Sequence, residues 1–153
     1  MPPRSRSVRP MERTEARISP TQHLVEQYVA MWNEPAVEAR HRLVRAVFNP
    51  QAVHRVQGPE EVRDIGRALG FPTVTLEVRG HDELDFRVDQ AHGEFVAPGT
   101  YRFRGRDDAA RLGRVVKFGW EMVATDGTVA ATGIDVLELD DDGRILTDHQ
   151  FVD

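Results

Sequence analysis

The chain has 153 residues, of which 40% are hydrophobic and 29% are charged, with a formal net charge of −5 and no cysteine. This length predicts a single domain, and no apolar run approaches the roughly 20 residues that a membrane-spanning helix needs. The acidic balance argues against a nucleic-acid partner, since phosphate binding needs clustered positive charge. Without cysteine, disulfides, thiol nucleophiles and cysteine metal ligands are excluded.

The first segment of the chain, residues 1–19, is rich in arginine and proline and has no apolar run. This composition is typical of a disordered tail, so we place the folded domain at 20–153. A secretory signal needs an apolar stretch that this segment does not have, and we therefore expect a cytoplasmic protein.

Apolar periodicity divides the domain into helices followed by strands. Helices are predicted at 21–33, from Pro35 to about 48, at 60–69 and at 80–96. Strands are predicted at 51–56, 73–78, 101–104, 114–124, 128–139 and 144–152. Asp-Gly pairs between the last strands are typical of tight hairpins, which indicates an antiparallel meander. The pattern predicts an α+β domain with helices packed on one face of a curved antiparallel sheet.

Asp135 interrupts the apolar face of the predicted strand 128–139. Side chains alternate along a strand, so Asp135 shares its face with Gly133, Leu137 and Leu139. A carboxylate there loses hydration, which costs several kcal/mol unless it finds a partner or keeps its proton. The small residues Ala131 and Gly133 leave space beside the acid, which indicates a lined pocket.

Further candidates for a pocket wall lie on neighbouring elements. Phe118, Trp120 and Met122 share one face of their strand, and Asp148 and Gln150 share a face of the last strand. Either these last two residues point inward, or they face water and Ile145, Thr147, His149 and Phe151 point inward. Ordinary core packing explains the aromatic residues equally well.

The sequence contains no pattern for a metal or a cofactor. Its six histidines lack ligand spacing, and the acidic run 140–142 lies in a predicted turn, where a solvated loop outweighs a metal site. No glycine-rich phosphate loop or serine nucleophile motif is present. We therefore expect neither a metal nor a cofactor.

The order of elements, together with the segment 133–145, resembles the nuclear transport factor 2-like superfamily, and within it the SnoaL-like and ketosteroid isomerase-like branches. Weaker support comes from the helix segment 28–32 and the helix start at 80–84. The resemblance covers about residues 20–153. It implies a cone-shaped sheet whose concave face is covered by the N-terminal helices around a small-molecule cavity. It also implies a homodimer formed through the outer face of the sheet.

In the ketosteroid isomerases, a tyrosine of the first helix and an acid of the long strand form an oxyanion hole, and an apolar site keeps that acid neutral. Tyr28 and Asp135 match those positions. The aspartate that moves the proton corresponds to Val56, and the nearest titratable group on that face is His54. The resemblance thus implies Asp135, Tyr28, and either His54 or Asp148 as catalytic residues.

Other branches fit differently. Limonene epoxide hydrolase-like members need an aspartate and arginine pair with a second aspartate on the last strand, where this chain has Gln150, so that activity is disfavoured. SnoaL-like cyclases use an acid to assist an aldol closure, and Asp135 or Asp148 could serve. Residues implied to line the ligand cavity are Trp32, Val56, Phe118, Trp120, Met122, Gly133, Leu137 and Gln150.

The helix predicted at 60–69 is inserted where the isomerase-like members have a short connection. It either caps the cavity mouth or decorates the surface.

We hypothesise a cofactor-independent isomerase, cyclase or dehydratase that acts on a small apolar carbonyl compound. The alternatives are a non-catalytic carrier of a hydrophobic molecule, or a dimeric protein-interaction module, since one fold hosts all three. If the role of Asp135 is structural and not catalytic, its carboxylate is simply buried and hydrogen-bonded to Tyr28.

Overall fold

The computed structural model describes residues 18–153. The predicted tail therefore lies outside the described residues up to position 17. Ser19, the last residue of the predicted tail, caps the first helix, because its hydroxyl accepts a hydrogen bond from the Gln22 amide, 3.1 Å away.

Within residues 18–153 there are four α-helices, close to where periodicity predicts them: α1 Pro20–Asn33, α2 Val37–Val47, α3 Glu60–Ala68 and α4 Gly80–Ala91. A π-helical turn, His92–Val96, continues α4 to the end of the predicted fourth helix. Arg40 of α2 is buried and forms an ion pair with Asp89 of α4 at 2.9 Å, which holds these two helices together. None of the helices within residues 18–153 is long and apolar enough to cross a bilayer.

The described part of the chain contains seven strands, which form one sheet: β1 Phe48–Gln57, β2 Thr75–Arg79, β3 Tyr101–Gly105, β4 Ala110–Leu112, β5 Val115–Ala124, β6 Val129–Leu139 and β7 Ile145–Val152. The spatial order is β2-β1-β7-β6-β5-β3, and β4 pairs with β5. Strand β4 is absent from our predictions because it has only three residues, which is too short for alternation to indicate a strand.

The sheet is antiparallel except at one pair of strands. Strand β1 runs parallel to β7, with His54 opposite Asp148 and Val56 opposite Gln150. The meander predicted for the C-terminal strands is therefore present, but β1 pairs in parallel with β7, the last strand of that meander. This pairing brings together the two candidate proton carriers that lie far apart in the chain.

The helices cover one face of the curved sheet, and the hydrophobic core lies between the helices and the sheet. Tyr28 of α1 is almost completely buried, with its ring 5.2 Å from that of Phe118 and 6.1 Å from that of Phe48 (centroid distances). Asn33, at the end of α1, exchanges two hydrogen bonds with the backbone of Phe103 in β3. The predicted α+β class, with helices on the concave face of a curved sheet, is confirmed.

Candidate active site

The register of three adjacent strands places four polar side chains on the buried face of the sheet. Asp148 of β7 lies opposite His54 of β1, and Gln150 of β7 lies opposite Asp135 of β6. The side chains of His54, Asp135 and Asp148 are completely buried. Of the two faces considered for β7, the one with Asp148 and Gln150 points inward.

The hydroxyl of Tyr28 joins the two buried acids. Its oxygen lies 2.7 Å from Oδ2 of Asp135 and 2.6 Å from Oδ2 of Asp148. A phenol carries one hydrogen, so Tyr28 donates only one of these bonds. The other must be donated to Tyr28 by a carboxyl group that holds a proton. The donor count thus assigns one shared proton to the pair of acids.

The remaining contacts indicate which acid holds that proton. Oδ1 of Asp135 accepts hydrogen bonds from Nε1 of Trp120 at 2.8 Å and from Nε2 of Gln150 at 3.3 Å. Oδ2 of Asp148 lies 2.7 Å from Nδ1 of His54. In the arrangement that uses each donor once, Asp135 donates to Tyr28, and the carboxylate of Asp148 accepts from Tyr28 and His54.

Burial supports this assignment. It raises the pKa of Asp135 well above its ordinary value, and the negative charge of Asp148 raises that pKa further. Burial also raises the pKa of Asp148, but hydrogen bonds and the positive charge of Arg87 oppose that change. The pKa of Tyr28 is raised by burial and by both acids, so the hydroxyl keeps its proton and acts as a donor.

His54 is neutral in this environment, since burial lowers its pKa to about 3. Its Nε2 atom is buried without a partner. A hydrogen on Nε2 would be an unsatisfied donor, so the tautomer with hydrogen on Nδ1, donated to Asp148, fits the contacts.

The low pKa of His54 predicts a loss of stability in acid. An unfolded chain binds a proton at this histidine below pH 6.5, whereas the folded chain does not until about pH 3. This group alone then lowers the free energy of unfolding by up to about 1.4 kcal/mol per pH unit as the pH falls through that window. Urea denaturation of wild type and His54→Asn between pH 7 and pH 4 measures the difference in slope.

The exposed histidine of α1 provides the matched control. His23→Asn makes the same substitution at an exposed position and leaves the buried network intact, so it controls for the substitution itself. Equal slopes for wild type and His54→Asn would contradict a neutral, buried His54.

A cavity of about 600 Å³ lies beside this network. Tyr28, Trp120 and Gln150 belong both to the network and to the cavity wall. Asp135, Asp148 and His54 lie behind that wall, so they reach the cavity through these three residues. Glu61, Glu94 and Asp153 line the cavity and are exposed, which places them at its rim.

Most of the residues predicted to line the cavity do so: Trp32, Val56, Phe118, Trp120, Met122 and Gln150. Two do not. Leu137 is completely buried in the core, and the space beside Gly133 is filled by the indole of Trp120. Glu61 and Val62 in the first turn of α3, the inserted helix, also lie on the cavity wall.

Sequence reasoning missed Arg87. It lies on α4 and lines the cavity, with Nη2 donating to Oε1 of Gln150 at 3.2 Å and its guanidinium carbon 5.1 Å from the centre of the Trp32 ring. The available signal was spacing, because Arg87 falls between Leu84, Val88 and Ala91 on the buried stripe of α4. Within residues 18–153, no three histidine or carboxylate side chains converge as a metal site requires.

Comparisons with known proteins identify the fold. No protein-family model and no curated protein matches the chain. A SnoaL-like family protein from Agrobacterium tumefaciens str. C58, described provisionally as an isomerase, is 23% identical, with a TM-score of 0.69 over 88% of this chain and 97% of its own. A nuclear transport factor 2-like protein of unknown function from Exiguobacterium sp. 255-15 is 14% identical, with a TM-score of 0.57 over 85% and 98%.

A third solved structure adds a ligand. A Catenulispora acidiphila DSM 44928 protein with a ketosteroid isomerase-like fold, in complex with trimethylamine, is 12% identical, with a TM-score of 0.53 over 85% of each chain. At these identities the similarity shows the fold alone. The predicted resemblance to the nuclear transport factor 2-like superfamily is confirmed at that level.

Proposed function

We propose that this chain is a cofactor-independent enzyme that moves protons on a small apolar carbonyl compound, as an isomerase, cyclase or dehydratase does. The observation that carries the proposal is the buried pair of acids, which shares one proton through Tyr28 beside a cavity. Perturbed acids concentrate at functional sites, because catalysis needs a proton held ready at neutral pH.

The acid half of the reaction runs through Tyr28. The hydrogen of the Tyr28 hydroxyl turns from Asp148 to a carbonyl oxygen at the cavity wall and is transferred to it as negative charge develops there, while Asp135 passes its own proton to Tyr28. One O–H bond then breaks at Asp135 and one forms on the substrate. The Asp135 carboxylate is still held by the donors of Trp120 and Gln150, and the reverse transfer restores the starting state.

The base half uses Asp148. When the Tyr28 oxygen accepts a proton from the substrate, the hydroxyl proton passes to the Asp148 carboxylate, 2.6 Å away. His54, through Nδ1, keeps that carboxylate oriented. In this proposal both Asp148 and His54 act through Tyr28 and do not touch the substrate themselves.

Deuterium exchange tests the proposal. We expect the wild type to accelerate exchange of the protons next to the carbonyl of 2-tetralone in D₂O, followed by proton NMR. Asp135→Asn keeps the size of the side chain but has no acidic proton, so we expect a rate about 100-fold lower. Binding of 2-tetralone, followed by quenching of tryptophan fluorescence, should change less than about threefold.

Glu38→Gln serves as the control, because it removes an exposed carboxylate of α2 that does not line the cavity and leaves the network intact. Its exchange rate should equal that of the wild type. Binding without accelerated exchange in the wild type would contradict catalysis of this kind.

The second candidate function is a carrier. One observation favours it: every network atom that faces Tyr28 is already satisfied within the network, and Asp135, Asp148 and His54 do not line the cavity. A carrier predicts binding of 2-tetralone that is equal in wild type and Asp135→Asn, with no exchange in either.

We further propose that the chain forms a homodimer through the outer face of the sheet and acts in the cytoplasm. Ile134 and Phe151 support the dimer: they are paired across β6 and β7 and are 42% and 44% exposed. Apolar side chains side by side on a sheet surface favour burial against a partner. Sedimentation equilibrium of wild type and Ile134→Glu measures the association.

A further inference from the structure

From the environment of Arg87, we infer that the ligand carries a carboxylate as well as its apolar body, and that Arg87 binds this carboxylate inside the cavity. The inference rests on the proposed function in one respect, since it names the substrate class as an apolar oxo acid, with its carbonyl at Tyr28 and its acid group at Arg87.

The guanidinium of Arg87 is left with unused donors. An arginine has five N–H groups, and the one side-chain hydrogen bond that Arg87 makes within residues 18–153 is from Nη2 to Gln150. Nε is buried without a partner, and within those residues no carboxylate lies within 4.0 Å of the group. A partly buried cation in this state needs an acceptor that the described residues do not supply.

A second arginine of the same chain shows how this protein buries such a group. Arg40, on the neighbouring helix, has Nε on Asp89 at 2.9 Å and Nη1 on the Glu34 carbonyl at 2.6 Å. Asp148, behind the cavity wall, does not do the same for Arg87. Its Oδ2 is engaged by Tyr28 and His54, and its Oδ1, although it has no partner, lies more than 4.0 Å from the guanidinium. Its charge stabilises Arg87 without satisfying the donors.

The wall around Arg87 favours a ligand with one negative charge and an apolar body. Trp32 covers one face of the guanidinium, and Phe95, Phe103 and Phe118 are among the apolar residues that line the cavity. Carboxylates bind the planar guanidinium through two parallel hydrogen bonds. The rim residues Glu61, Glu94 and Asp153 are all acidic, so a doubly charged phosphate is repelled more strongly than a carboxylate.

Gln150 connects the two ends of this site. Arg87 can only donate, so its bond to Oε1 fixes the orientation of the Gln150 amide and directs Nε2 to Asp135. The acid-binding residue and the proton-holding residue are thus joined by one side chain. A ligand long enough to reach from Arg87 to Tyr28 along the cavity wall would contact both residues.

A matched pair of probes tests the inference. Octanoate and octanamide have the same apolar chain and differ in charge. Trp32 and Trp120 are the two tryptophans of the sequence, and both line the cavity, so their fluorescence reports its occupation. We expect the wild type to bind octanoate at least about 10-fold more tightly than octanamide, because a hydrogen-bonded charge pair is stronger than a neutral contact.

Arg87→Met keeps the apolar stem and removes the charge. Octanoate binding should weaken about 10- to 100-fold and octanamide binding less than about threefold, which abolishes the preference. Arg87→Lys keeps the charge without the planar fork and should retain a smaller preference. Arg102→Met, an exposed position on β3, is the control and should behave as wild type. Thermal melts verify that each variant is folded.

Three results would overturn the inference: equal binding of the two probes to wild type, no binding of either probe at millimolar concentration, or an unchanged preference in Arg87→Met. Octyl phosphate binding more tightly than octanoate would also overturn it in favour of a phosphate ligand. The outcome is separable from that of the catalytic proposal. A carboxylate preference without exchange on 2-tetralone would leave the ligand class standing and remove the enzyme.

Discussion

Replacing Tyr28 with phenylalanine is expected to lower the free energy of unfolding by about 3 kcal/mol, because two buried acids lose the hydroxyl that joins them. Oδ2 of Asp135 and Oδ2 of Asp148 each lose a hydrogen bond, of 2.7 and 2.6 Å respectively. Both side chains are completely buried, so water from the solvent does not replace these bonds. The same change removes the contact between the network and the cavity, so exchange on 2-tetralone should fall about 1000-fold. Urea denaturation and NMR measure the two effects.

The other tyrosine of the sequence is the control. Tyr101, on β3, is partly exposed, and its hydroxyl makes no side-chain hydrogen bond within residues 18–153. Tyr101→Phe should change the free energy of unfolding by less than about 0.5 kcal/mol. If Tyr28→Phe and Tyr101→Phe have the same urea midpoint, the two acids do not depend on the bridge.

Gly133→Ala is expected to destabilise the domain by about 3 kcal/mol, since it overpacks a site that cannot expand. A Cβ at Gly133 would contact the Trp120 ring and lie 2.5 Å from the Phe151 carbonyl oxygen. That oxygen belongs to the backbone of β7, so relieving both contacts requires the strand to shift as well as the indole. Trp120 would then lose its hydrogen bond to Asp135, and the near-ultraviolet circular dichroism of the indole should change.

Gly105→Ala is the matched control on another strand. A Cβ there meets only the side chains of Val25 and Val29, at 3.8 and 3.9 Å, which is ordinary contact. We expect its urea midpoint to differ little from that of the wild type. A wild-type midpoint for Gly133→Ala would show that the indole does not pack against this glycine.

The burial of Asp135 was accessible from the sequence, because alternation along a strand is a local pattern. Its proximity to Tyr28, 107 positions away in the chain, was implied only by the resemblance to the ketosteroid isomerases. An acid among apolar neighbours indicates either a buried partner or a retained proton, and the structure shows hydrogen bonds that require a shared proton. The position of His54 beside Asp148 was not accessible. It depends on the parallel pairing of β1 with β7, which no local pattern encodes.

The prediction of free space beside Gly133 was wrong. A small residue on the inner face was interpreted as free space, but whether a glycine leaves a cavity or accommodates a neighbour depends on the opposite strand. Trp120 lies directly across from it and fills the space. Arg87 was missed for a related reason: an arginine on an amphipathic helix is usually solvated, and only the tertiary structure shows that it faces a cavity.

The parallel β1–β7 pairing also orders the events of folding. Trp120 and Asp135 are 15 positions apart in one hairpin, whereas His54 and Asp148 are separated by 94 and Tyr28 and Asp148 by 120. Contacts between distant segments form late, since closing a long loop costs more entropy. During refolding, Asp135 should therefore contact the Trp120 indole while its carboxyl group is still hydrated and its pKa is still near the usual value. The pKa of Asp135 should rise only when β1 pairs with β7 and buries the acid.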